Sequence, residues 1–79
     1  MGLKNLPLDS GRNIVKVFER YGWVVYRAKN HYVLTHPNKP RTLTISIPDH
    51  KEISRSLLKA ELRKAGLTEQ DFLTVYAEL

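Results

Sequence analysis

The chain contains three histidines and no cysteine. Proton transfer at neutral pH therefore falls to imidazole. His31 and His36 bracket the apolar stretch in "HYVLTH", and His50 lies in "PDHKEISR". The three lack helical metal-ligand spacing and have no accompanying carboxylate cluster, which argues against a metal centre. There is also no glycine-rich phosphate loop, and nothing in the sequence points to a nucleophile–base–acid triad. A histidine available to a ligand could give or take a proton at neutral pH, or be simply a solvated surface residue.

Which histidine is available depends on the elements that carry it. Ser10 is placed to cap a helix whose buried face is Ile14, Val17, Phe18 and Tyr21, with Gly22 supplying the left-handed residue that ends it. "WVVYR" is dense in β-branched and aromatic residues and reads as a strand. "AKN" reads as a turn in which Asn30 tolerates a positive φ, "HYVLTH" as the second strand, and the proline-bearing "PNKPR" as a second turn. "TLTISI" alternates cleanly, with Leu43, Ile45 and Ile47 on one side and Thr42, Thr44 and Ser46 on the other. "PDHKEISR" reads as a polar connection. A helix then runs from Ser54 or Ser56 to Ala65, closed by Gly66, with Leu57, Leu58, Leu62 and Ala65 as its apolar stripe. Thr68 and Asp71 form a capping signature for a last helix carrying Phe72, Val75, Tyr76 and Leu79.

The expected fold is α+β, in the order α-β-β-β-α-α. Three antiparallel strands carry helices on one face, as in a double-stranded-RNA-binding domain. Residues 1–79 read as one domain, with 1–9 an irregular lead-in. Tyr32 and Leu34, bulkier together than Val33, should face the helices. His36 then shares their side, while His31 joins Val33 and Thr35 on the open face, available to a ligand. His36, preceding Pro37, reads as a turn residue rather than a catalyst.

Thirteen lysines and arginines against eight acids give a net charge of +5. All thirteen cations lie within residues 4–64, and the last fifteen residues carry only Glu69, Asp71 and Glu78. A basic body with an acidic tail suits a polyanion, most simply nucleic acid. The absence of cysteine, of a signal-peptide-like start and of a membrane-spanning run suggests a soluble protein of the cytoplasm.

The ordered set "GWVVYR…H…HP…TISIPDHKEI…LLKAELRKAGLTEQDF" resembles the HicA (YcfA-like) toxins of type II toxin–antitoxin systems across roughly residues 10–74. The resemblance rests on Gly22-Trp23 followed by Arg27, the spacing of His31 to His36-Pro37, Ile47-Pro48 with His50 and Lys51-Glu52, and the closing "KAGLTEQDF". It implies a small ribonuclease of double-stranded-RNA-binding-domain-like fold that cuts mRNA without a metal or other cofactor and is neutralised by a HicB-like antitoxin. The family's single catalytic histidine corresponds to His31, in agreement with the strand parity. One departure stands out: Lys29-Asn30 occupies the place of the family's Gly-Ser, and the chain is one residue shorter between Arg27 and the histidine.

On this reading, Lys29 and Arg27 stabilise charge on the attacked phosphate, with Arg27 on an uncertain face. Lys51, Arg55 and Lys59 hold the RNA backbone. The alternatives are a non-catalytic or weakly active RNA-binding module of the same fold, or a chain that acts only as a protein-binding partner.

Overall fold

The computed structural model of the chain describes residues 5–79. Its elements are α1 (Gly11–Arg20), β1 (Val24–Ala28), β2 (His31–Thr35), β3 (Ile45–Pro48), α2 (Arg55–Ala65) and α3 (Glu69–Tyr76). The strands form one antiparallel sheet in the order β1-β2-β3. This is the α-β-β-β-α-α order and α+β class expected from the sequence.

Each helix starts where a hydroxyl is available to cap it. The side chains of Ser10, Ser54 and Thr68 accept from the backbone N–H groups of Asn13, Leu57 and Asp71, respectively, and Asp71 returns the bond to Thr68 to complete a capping box. α1 ends in a Schellman turn. Gly22 at φ +94° donates to Glu19, and Trp23 donates to Phe18. This sends buried Trp23 onto buried Phe18 and feeds the chain directly into β1.

The core lies between one face of the sheet and the three helices. Leu34, Ile45 and Ile47 from the strands meet Ile14, Val17, Phe18, Leu58, Leu62 and Phe72 from the helices, each almost wholly excluded from solvent. Full burial of such a side chain contributes about 1.5–3 kcal/mol. The outer edge of β3 is covered as well. Glu61, buried among the α2 leucines, accepts the Ser46 N–H at 2.9 Å and lies 3.1 Å from Lys64.

Several local expectations need correction. β3 begins at Ile45 rather than Thr42, because the β2–β3 ladder ends with the Leu34–Ile45 pair and β2 stops at Thr35, so that Thr42 and Leu43 would lie opposite the turn beyond it. Among the described residues only Gly22 and Gly66 have positive φ, so the tolerance of Asn30 for it goes unused. "PDHKEISR" is not wholly polar in placement, since Ile53 is fully buried and donates to the Asp9 carbonyl at 2.8 Å. α3 stops at Tyr76, so Leu79 is left half exposed and Leu73 takes a place in the core. Residues 1–4 of the irregular lead-in lie outside the described residues, but Leu6 is a core residue and its carbonyl accepts from Arg55.

Asp9 ties this lead-in to the body. One carboxylate oxygen accepts the Ser10 N–H and the Asn13 amide, while the other accepts the Tyr76 hydroxyl at 2.6 Å. The Tyr76 bond, first among several, holds the Asp9 carboxyl below the ordinary aspartate range, against an opposing desolvation effect. A depressed folded-state value stabilises the fold above the unfolded value, and that contribution is lost as pH falls through the folded one. Urea midpoints measured across acidic pH should therefore fall for the wild type as pH drops below the ordinary aspartate range. Tyr76→Phe should show a shallower dependence over the same window.

Candidate functional site

β2 presents alternate residues to opposite sides, and the ladder shows which side each takes. Tyr32 pairs with Ile47 and Leu34 with Ile45 on the buried face. His31 pairs with Pro48 and Val33 with Ser46 on the other. No helix covers that second face, and His31 is exposed on it. Among the described side-chain hydrogen bonds, none involves the His31 ring. On the β1 side the last ladder pair is Ala28 with Tyr32, so His31 sits just past the end of β1, with nothing opposite it on that strand.

β1 reaches the same face by an irregularity. Val25 pairs with Leu34 and Arg27 with Val33, leaving Tyr26 as the extra residue of a β-bulge. Simple alternation would put Arg27 on the buried side with Val25. The bulge turns it outward instead, so Arg27 joins His31. Arg27, Lys29, Asn30, His31, Val33 and Ser46 line one shallow depression of about 440 Å³. No carboxylate lines it, and neither Arg27 nor Lys29 belongs to an ion pair among the described residues. The result is an exposed imidazole beside two uncompensated cations on a hydroxyl-bearing sheet face. Such a set can move a proton and hold an anion.

The other predicted cations lie elsewhere. Lys51 shares a second depression with Arg12, His50, Tyr32 and Asp49 near the start of α1. The Asp49 N–H donates to the Asn30 carbonyl, which ties this end of β3 to the β1–β2 turn. Arg55 donates through Nε to the Leu6 carbonyl, and Lys59 approaches Glu69 at 3.9 Å. Both stand on α2, whose Leu58 and Leu62 pack against the buried side of the sheet, and neither lines the His31 depression.

His36 has a different environment. Its Nδ1 accepts the Asn38 N–H at 3.1 Å, and its Nε2 lies 3.0 Å from the Tyr21 carbonyl, to which it donates. Its ring meets Trp23 edge-on at 5.2 Å. A Cβ on Gly22 would come within 2.7 Å of Nε2. Gly22, Trp23 and His36 thus form a single packed joint between α1 and the sheet. His36 is a structural residue at the strand end, as its place before Pro37 suggested.

The residues that sequence reasoning missed are Glu61, Leu6 and the bulged Tyr26. Glu61 had one available signal: a carboxylate placed between Leu58 and Leu62 on an otherwise apolar stripe.

The fold and site define a small α+β module with a one-sided sheet whose open face is basic and carries a histidine. A family model for the HicA toxin of bacterial toxin–antitoxin systems matches residues 11–67, and the chain belongs to that family. No curated protein matches it. Among the described residues, no helix is long and apolar enough to cross a membrane.

The packed joint leads to a prediction. Gly22→Ala forces a side chain into a positive-φ position against an imidazole, and His36→Ala strands the Tyr21 carbonyl and the Asn38 N–H. Each should lower unfolding free energy by about 1–3 kcal/mol in urea titrations.

Proposed function

We propose that this chain is the toxin of a toxin–antitoxin pair and acts as a metal-independent endoribonuclease on mRNA, with His31 as its catalytic residue. The supporting observation is the placement of an exposed, unbonded His31 beside Arg27 and Lys29 on the uncovered face of the sheet. Membership of the HicA toxin family supplies the toxin role.

RNA carries its own nucleophile. His31 accepts the proton of a ribose 2′-hydroxyl, and the 2′-oxygen attacks the adjacent phosphorus. The bond from phosphorus to the 5′-oxygen of the next nucleotide breaks, and that oxygen takes up a proton from the imidazolium or from water. The products are a 2′,3′-cyclic phosphate and a 5′-hydroxyl, with no oxidant, metal or water consumed. Arg27 and Lys29 face the extra negative charge that develops on the phosphate oxygens. Lys51, reached past the β1–β2 turn, contacts the RNA backbone farther along, and Arg55 and Lys59 add to the positive field from α2. A HicB-like antitoxin would neutralise the toxin by covering the open face, with an acidic surface steering the encounter. The site of action is the cytoplasm, where mRNA is found.

The second reading is an RNA-binding module without catalysis. It draws on Lys29-Asn30 standing where the family has Gly-Ser, which changes the turn leading into the histidine.

Incubating the purified protein with a long RNA in EDTA separates the two. The wild type should cleave. His31→Ala should lose at least about 100-fold of the rate, the low end of what general acid–base catalysis contributes. Its unfolding free energy should stay within about 0.5 kcal/mol of wild type, as for an ordinary surface site. Undiminished cleavage by folded His31→Ala would remove His31 from the mechanism, and an intact transcript with bound wild type would favour the second reading.

A further inference from the structure

The bulge that turns Arg27 outward leaves Tyr26 as its unpaired residue, and Tyr26 is 64% exposed. Its ring, Thr35 and Arg41 line a separate depression of about 260 Å³. Thr35 shares the open-face parity of β2 with His31 and Val33, so this depression lies on the same side of the sheet as the histidine. Tyr26 precedes Arg27 in the chain, and Thr35 stands four residues beyond His31, about 13 Å along β2. Arg41 comes from the turn after β2 and pairs with no carboxylate among the described residues.

We infer that Tyr26, Thr35 and Arg41 form a base-binding subsite for a nucleotide farther along an RNA chain that has a phosphate at His31. The inference rests on the ribonuclease reading and adds the residues that read the substrate. Unstacked bases of single-stranded RNA bind by stacking on aromatic rings and by hydrogen bonds to their edges. Tyr26 supplies the ring. The Arg41 guanidinium has only donors and selects an edge with acceptor atoms, while the Thr35 hydroxyl serves as either donor or acceptor. Charge favours RNA as the occupant: Arg41 lines this depression, Arg27 and Lys29 line the one at His31, and no carboxylate lines either.

The test uses His31→Ala as the parent, in EDTA, so that binding is measured without cleavage. The probes are a single-stranded RNA oligonucleotide and an abasic sugar–phosphate chain of equal length. Adding Tyr26→Ala should weaken RNA binding about 10-fold, within the range of about 5- to 150-fold for loss of one stacked base. Binding of the abasic chain should hardly change, and Tyr26→Phe should retain affinity for both. The salt slope should be unaltered by Tyr26→Ala but reduced by about 0.7 by Lys29→Ala, which removes a phosphate contact. Equal weakening on both probes, or parental affinity for RNA in Tyr26→Ala, would overturn the subsite. Parental affinity together with conversion of a dimer to a monomer would make the patch a contact between copies instead. The underlying reading fails separately: wild type that binds RNA without cutting it leaves the subsite standing, whereas a parent that binds neither probe defeats both.

Discussion

A three-stranded sheet with helices on one face can bury only alternate residues. Leu34, Ile45 and Ile47 are fully excluded from water in the core that α1 and α2 close over the sheet, with α3 packed on those two helices. That burial fixes the phase of β2 and β3, so His31, Val33, Thr35 and Ser46 must face outward. A slip of one residue would exchange the two sets, exposing Leu34 and burying the imidazole. The histidine is thus held on the open face by a hydrophobic constraint acting from the opposite side. Interactions at the margins keep the register: Glu61 accepts from Ser46 along the outer edge of β3, and the Asp49 N–H is bonded to the Asn30 carbonyl at the turn. Gly11 packs against the Pro48 carbonyl, where a Cβ would have no room, so α1 rests directly on the end of β3.

The same constraint separates two chemically identical side chains. His31 and His36 stand at the two ends of one apolar segment. His36 falls at the joint with α1, and both of its ring nitrogens are engaged by backbone groups. Its ring closes the gap that Gly22 leaves open beside Trp23. His31 falls beyond the ladder of β1, where its ring is unbonded and cations are near. A histidine that fixes a helix-to-strand joint has no ring nitrogen left for acid–base work, and one free to exchange protons contributes little to the joint.

Local pattern carried much of this. Caps, Schellman glycines and alternation are set by a few neighbouring residues, so the order of elements and the outward placement of His31 were legible in the sequence. What was not legible depends on partners distant in sequence. Thr42 and Thr44 alternate like strand residues, but the β2–β3 ladder ends at Leu34 and Ile45, before it reaches either of them. Leu6 looks like part of a lead-in until the packing brings it into the core. The cations of α2 show in the sequence as a polar helix face, but periodicity within a helix does not tell on which side of a sheet that helix lies. Charge in the sequence therefore groups Arg55 and Lys59 with Lys51, although the two stand on α2 and line neither depression of the open face. The family pattern from Gly22-Trp23 to His36-Pro37 was readable because it contains the joint and the histidine together.

The face taken by Arg27 shows the limit most sharply. Counting by twos from Val25 places Arg27 inward, against the core, where a guanidinium without a partner would be costly. The ladder avoids that cost by admitting one extra residue, and the cation emerges beside Val33 instead. Nothing local in "WVVYR" marks the bulge. Its cause lies in the competing demands of its neighbours: Val25 belongs opposite Leu34 in the core, and a charged residue two positions later must reach water. The residue left unpaired is then necessarily the one between them. A single irregularity in the edge strand therefore does two things at once: it brings a cation up to the histidine and leaves the Tyr26 ring exposed on the same face.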